Sequence, residues 1–204
     1  MRLKIYKIIC YILISLLIIT FGLIVIKYYS NIKNDEENKK VVSVFYQNDN
    51  NDTVSSEQVE NEKKVFFNGY EVIGTIRIPK INIEYPILSI ETSNPEETKI
   101  PMKKSIVRYW GNNVNDFGNL SLAGHNNHDG TMFGKTKKLE VNDLIELTDL
   151  YKNTIVYQIY EKFVTNPNDV SILLTKDENI REVTLITCTN GNKNRLILKA
   201  KELI

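Results

Sequence analysis

Cysteine is scarce here: the 204 residues hold two, Cys10 and Cys188. Cys10 sits inside an unbroken apolar run with the length of a membrane span, which argues against a disulfide between the two, and two cysteines make no cluster for zinc. Cys188 is therefore a lone thiol. Histidine is as scarce, with only His125 and His128, which narrows the choice of general base to two residues. A surplus of charge of either sign is also missing: 26 basic residues face 25 acidic ones. That balance gives no whole-chain field to attract nucleic acid. There is no internal repeat, and the one low-complexity stretch is rich in Asn and Asp.

What is present begins with Ile8 to Ile26, an uncharged run of 19 residues. A helix of about that length crosses roughly 30 Å of hydrocarbon. Arg2, Lys4 and Lys7 precede it, whereas Asp35, Glu36 and Glu37 follow. The positive-inside rule then puts residues 1–7 in the cytoplasm and everything after Ile26 outside the cell membrane. A cleaved signal peptide is the competing reading. The exit Ile26-Lys27-Tyr28-Tyr29-Ser30 offers no small-x-small site, which favours a retained single-pass anchor over residues 8–26.

Residues 27–65 are polar and include the run Gln47-Asn48-Asp49-Asn50-Asn51-Asp52. With little apolar surface to offset ordering entropy, they read as an extracellular linker or stalk. Within it, Val41 to Tyr46 has the pattern of an isolated strand or a partner contact, with a plain tether the favoured reading.

From residue 66 to 204 the pattern becomes short β-branched runs between turn residues. Candidate strands are Val72 to Ile78, Ile83 to Leu88, Ser105 to Tyr109, Leu120 to Ala123, Leu144 to Leu147, Thr154 to Val164, Val183 to Cys188 and Arg195 to Ala200. Eight short strands predict a mainly β domain closed into a barrel. Asn94 to Thr98 and Thr131 to Lys137 read as short helices between them.

A cysteine nucleophile acts as the thiolate, and a free thiol with pKa about 8.5 needs a basic neighbour to act at neutral pH. His125 closes a strand in Ser121-Leu122-Ala123-Gly124-His125 and is the natural partner. Attack on an amide also builds charge on the carbonyl oxygen, which calls for a fixed donor. Arg195 opens the last strand, and a hairpin through Thr189 to Asn194 brings it to the same face as Cys188. Pairing of Arg195 with a surface acid is the alternative. His128 reads as a loop residue, since a His125-His128-Asp129 site lacks a clear fourth ligand. Trp110 follows Tyr109 in a loop, either lining a groove or shielding a barrel edge.

Thr184-Leu185-Ile186-Thr187-Cys188, followed seven residues later by Arg195 and preceded by Ala123-Gly124-His125, resembles the signature of the sortase family. The likeness extends through Ile73-Gly74-Thr75-Ile76-Arg77-Ile78-Pro79 and Pro167-Asn168-Asp169-Val170-Ser171-Ile172-Leu173. It implies an eight-stranded sortase-type β-barrel with its active site at one end. It further implies a cysteine transpeptidase of the hydrolase class that cleaves an LPxTG-like sorting signal between Thr and Gly through a thioacyl-enzyme. His125, Cys188 and Arg195 would be catalytic. The surface protein would then pass to an amine acceptor of a cell-wall precursor.

The resemblance also implies a groove for a Leu-Pro dipeptide, lined by Ala123, Val170, Ile172, Leu173, Ile186, Thr187 and Ile197. It carries no cofactor, and Glu96, Glu97, Asp169 and Asp177 match no calcium pattern. No Asp-Pro-aromatic segment precedes Phe66, so the layout looks nearer to the class A and class D groups than to pilin-polymerising sortases. A non-catalytic membrane-tethered barrel that binds wall polymer is the alternative outside catalysis. A papain-like protease is disfavoured because His precedes Cys here and Cys ends a strand.

Overall fold

The computed structural model describes residues 2–47, 64–90, 97–175 and 177–203. The chain forms two compact units, Met1–Glu36 and Glu37–Ile204. Helix α1 spans Arg2–Gln47. Among the described residues it is the one helix long and apolar enough to cross a membrane, with a window of mean hydropathy 2.9. Ser15 and Thr20 turn their hydroxyls back onto the carbonyls of Ile12 (2.8 Å) and Leu17 (2.9 Å). These two hydroxyls thus have partners on their own helix, as a span through hydrocarbon would require.

The second unit opens with the last turns of α1, where the sequence reading expected a stalk. Asn38, Val42 and Phe45 recur at helical spacing and are buried. Phe45 packs with Phe67, Val72, Leu88, Val107 and Ala123. Asn38 donates to the carbonyl of Lys104 at 2.8 Å. Tyr46 bonds to the hydroxyls of Thr75 (3.0 Å) and Thr148 (3.2 Å). Residues 27–47 are therefore helical, and Val41 to Tyr46 is the end of α1 and not a strand. The β-branched residues there carry a strand-like local preference, which packing of Phe45 against the barrel overrides. The Asn/Asp-rich run after Gln47 lies outside the described residues.

The β-structure comprises β1 (Phe66–Phe67), β2 (Tyr70–Ile78), β3 (Ile83–Leu88), β4 (Ile106–Gly111), β5 (Gly118–Ala123), β6 (Leu144–Thr148), β7 (Thr154–Thr165), β8 (Arg181–Thr189) and β9 (Asn194–Glu202). Strand order is β1-β2-β3-β4-β5-β8-β9-β7-β6, and β6 pairs back onto β2. Strands β2 to β9 therefore close an eight-stranded barrel, with the two-residue β1 as an added hairpin arm. All eight expected strands are present; their ends agree or extend by up to two residues, except that β4 begins one residue later, at Ile106 and not Ser105. Two neighbouring pairs, β3–β4 and β5–β8, are parallel. A parallel pair needs a long crossover. The segments that make these crossovers supply the parts of the groove described below.

The barrel interior is filled by Ile76, Tyr85, Ile87, Leu122, Phe133, Ile145, Leu185 and Leu198, among others. Because side chains alternate between faces, Leu185 and Leu198 point inward while Ile186 and Ile197 point outward. The outward pair is also buried, because Ile172 and Leu173 of the β7–β8 crossover pack over it. Strand β8 thus has cover on both faces, from Glu182 to Thr187.

The short helices differ from expectation. Helix α2 is Lys99–Met102, and residues 94–96 of the expected Asn94 to Thr98 helix lie outside the described residues. Between Thr131 and Lys137 the chain makes turns, with one 3-10 turn at Thr136–Lys138. Gly134 is needed within these turns because a Cβ there would meet the Asn127 carbonyl oxygen at 2.1 Å. Another 3-10 turn, Ser171–Leu173, is the crossover segment over β8.

Candidate functional site

The site grows from the ends of three adjacent strands. Strand β5 ends at Ala123, β8 carries Cys188 one residue before its end, and β9 begins at Asn194. In the antiparallel β8–β9 register Cys188 stands directly opposite Arg195. The turn between them keeps this register because Asn190, Gly191 and Asn192 adopt left-handed φ values of 51°, 63° and 72°. Gly and Asn tolerate that region best. Arg195 donates to the carbonyls of Asn192 and Asn194, each at 3.2 Å, which steadies its guanidinium against the turn.

His125 reaches the same groove from β5. The parallel β5–β8 ladder ends at Ala123 opposite Ile186. Beyond it the Gly124 N–H donates to the Ile186 carbonyl (3.2 Å), and the Phe133 N–H to the His125 carbonyl (3.0 Å). The Thr187 hydroxyl donates to the Gly124 carbonyl at 2.8 Å. Gly124 is required by close approach: a Cβ there would lie 2.8 Å from the Phe133 ring. Asn126, the next residue, donates its side-chain amide to the Cys188 carbonyl at 2.8 Å.

A groove of about 230 Å³ contains His125, Cys188 and Arg195 together. Ala123, Val170, Ile172, Leu173, Ile186 and Thr187 also line it. Val170 stands at its rim, 70% exposed. Ile197 is the exception: it is fully buried among Ile172, Ile186 and Phe163, under the groove and not in its wall. It shares the outward face with Arg195, but the crossover covers it. His128 is an exposed loop residue, and Asp129 beside it accepts from the amide and hydroxyl of Thr131 at 3.0 and 2.7 Å. Trp110 is exposed on β4, and its neighbour Tyr109 takes the groove-facing position.

The sequence did not reveal Thr98, Lys99 and Met102 from α2, or Tyr109, as lining residues. Nothing local marks them, because the partner wall is distant in sequence. Pro167 and Asp169 also line the groove and were within reach, since they lie in the Pro167 to Leu173 motif. Asp169 holds the crossover in shape, accepting from the Ser171 hydroxyl (2.5 Å), the Thr165 hydroxyl (2.6 Å) and the Ser171 N–H (3.0 Å). The Ser171 and Thr165 side-chain hydrogen bonds hold its carboxyl below the usual range.

Further along the same outward face of β8 and β9 lies a polar cluster centred on the buried Lys199 and Glu182. Lys199 lies 3.6 Å from Glu182 and donates to the Leu174 carbonyl at 3.2 Å. Tyr160 donates to Glu182, and burial pushes the Tyr160 phenol well above its ordinary value. Asn119 donates to the Leu173 carbonyl at 2.9 Å and accepts from the Thr184 hydroxyl. These bonds fasten the end of the crossover to the barrel wall.

Comparison with known proteins agrees with this geometry. A sortase-domain family model matches residues 76–203. The chain is 31% identical to Sortase A of Bacillus anthracis over 125 residues, covering 61% of this chain and 55% of that protein. It is 28% identical to Sortase D of Bacillus subtilis (strain 168) over 135 residues, covering 66% and 63%. It therefore spans less than two thirds of the length of these curated relatives. A Clostridium perfringens Sortase D5 transpeptidase structure superposes with a TM-score of 0.60 and 26% identity, over 84% of this chain and 99% of that one. With the matched region taking in β5, β8 and β9, and the barrel closing in the same way, this chain belongs to the sortase family.

Proposed function

We propose that the protein is a cysteine transpeptidase that cuts an LPxTG-like sorting signal between Thr and Gly and transfers the new carboxyl end to an amine of a cell-wall precursor. The observation that supports this most is the direct pairing of Cys188 with Arg195 in a groove that also takes in His125. The Cys188 thiolate attacks the threonine carbonyl carbon. As the C–N bond breaks, His125 gives its proton to the departing glycine amine, leaving a thioester. An incoming amine then attacks the thioester, His125 takes the amine proton, and the C–S bond breaks to restore the thiolate.

Arg195 supplies a permanent charge to the oxygen that becomes negative in both half-reactions. The apolar lining of Ala123, Val170, Ile172, Leu173 and Ile186 suits the Leu-Pro part of the signal. The apolar run of α1 and the basic residues before it support a single-pass anchor with a cytoplasmic N-terminus and the barrel outside, beside the wall. No cofactor enters the scheme.

The test is to incubate the full chain, in detergent micelles, with a quenched Leu-Pro-x-Thr-Gly peptide library, with and without an amine acceptor. Cleavage stimulated by amine and lost in Cys188→Ala supports the proposal. Cleavage insensitive to amine would identify a hydrolase instead.

A further inference from the structure

The junction between the His125 segment and the Cys188 strand is made in an unusual way. Strands β5 and β8 run parallel from Gly118 opposite Arg181 to Ala123 opposite Ile186. The Gly124 N–H extends the ladder by bonding to the Ile186 carbonyl. Acceptors on one edge of a strand recur every second residue, so the next is the Cys188 carbonyl. Its regular backbone donor would be the N–H of Asn126. By that point, however, the chain has turned away: the His125 carbonyl accepts from Phe133, and Asn126 forms a bridge with Met132. The Cys188 carbonyl instead receives the side-chain amide of Asn126 at 2.8 Å.

We infer that Asn126 is a positioning residue for the transfer reaction: its side chain stands in for the missing strand donor and locks the Cys188 end of β8 to the segment that presents His125. The arrangement satisfies two demands that a continuous strand cannot meet together. The backbone at His125 must leave the sheet to bring the imidazole into the groove. The Cys188 backbone must still be held on its β5 side, because one residue further β8 ends in the turn. Thr187, donating to the Gly124 carbonyl, clasps the junction on the other side of His125. Base and nucleophile are thus tied through one residue, and misplacing reacting groups by about 1 Å can lower a rate on the order of a hundredfold.

Asn suits the position because its amide is a donor of the right reach. Asp has the same shape but presents only acceptors at neutral pH, and it would repel the Cys188 carbonyl. Asn126 is exposed, so replacing it opens no cavity in the core. A bond so open to water adds little to stability. Its effect belongs in the geometry of the reaction.

This inference rests on Cys188 as nucleophile and His125 as base, and the experiment separates the two levels. Asn126→Asp, Asn126→Ala and Asn126→Gln are compared with wild type, His125→Ala and Cys188→Ala, all as full chains in detergent, on a quenched Leu-Pro-x-Thr-Gly peptide with an amine acceptor. Asn126→Asp and Asn126→Ala are expected to lower kcat by about tenfold or more, with KM changed by less than about twofold and the melting temperature unmoved. Asn126→Gln, which keeps the donor, should recover most of the loss. A kcat for Asn126→Asp near that of wild type, a loss confined to KM, or a Gln variant as slow as Ala would each overturn the inference. If Cys188→Ala stayed active, the catalytic reading beneath it would fall instead.

Discussion

Cys188 and Arg195 face each other across the β8–β9 hairpin as a direct cross-strand pair. The pairing follows from the turn: three left-handed residues close it, and a slip of one residue would send Arg195 to the barrel interior. The guanidinium is steadied by two carbonyls of its own turn. Its position relative to Cys188 is therefore set by the hairpin, with β7 pairing on the other side of Arg195. Arg195→Ala should lower kcat/KM by about 10²- to 10³-fold, the range for loss of an oxyanion donor. Arg195→Lys should recover little, since it lacks the planar fork. Melting temperatures of both should stay near wild type, and a parallel drop in stability would contradict this account.

Phe45 ties the end of α1 to the barrel, and its ring is fully buried. It contacts the cluster that includes Met102, Tyr109 and Ala123, three groove-lining residues. Phe45→Ala should destabilise the second unit by about 3–5 kcal/mol, the usual range for a buried Phe. The same variant should raise the KM for peptide as α2 and Tyr109 loosen. Thermal melts and steady-state kinetics on the full chain check both. An unchanged melting temperature would mean that this part of α1 is not held by the barrel.

Lys199 and Glu182 form a buried pair further along the face of β8 and β9 that carries Cys188 and Arg195, and Lys199 also holds the Leu174 carbonyl. Lys199→Met leaves Glu182, only 4% exposed, with Tyr160 but no cation. A buried pair broken from one side costs about 3–5 kcal/mol. Denaturant unfolding should show the loss, with Lys199→Met combined with Glu182→Leu recovering much of it. A double variant no more stable than the single would contradict the pairing.

Asp169 gives the crossover its dependence on pH. Its folded pKa is lowered, first by the Ser171 side-chain bond and then by Thr165. A lowered value means the contribution is complete above the unfolded carboxylate value of about 3.9 and is lost only as pH falls through the lower folded value. The crossover should therefore keep its shape through neutral and mildly acid pH. The amide resonance of Ser171, which donates to Asp169, should titrate with a midpoint below about 3.9. A midpoint at or above that value would show that the hydrogen bonds do not form in solution.

The barrel was legible because each strand is a short β-branched run bounded by turn residues. Asn82, Asn142, Asn190 and Asn192 take left-handed conformations at those ends. His125, Cys188 and Arg195 could be brought together because each lies at a strand end near a residue of the motif. The end of α1 was not legible: Val41, Val42 and Val44 favour a strand locally, and only Phe45 buried against Val72, Leu88 and Val107 decides for helix. Lys99 and Met102 were missed because their place at the groove depends on contacts across the fold. Ile197 was misplaced for a related reason. Alternation puts it on the outward face with Arg195, but it does not reveal that Ile172 lies over it.

As the proposed nucleophile, Cys188 carries the acyl group between donor and acceptor. The most direct test is intact-protein mass spectrometry of the full chain mixed with a Leu-Pro-x-Thr-Gly peptide and no amine, followed by peptide mapping. An adduct with the mass of the peptide up to its threonine is expected on Cys188, discharged on adding amine and absent in Cys188→Ala. An adduct on any other residue, or amine-dependent turnover by Cys188→Ala, would contradict it.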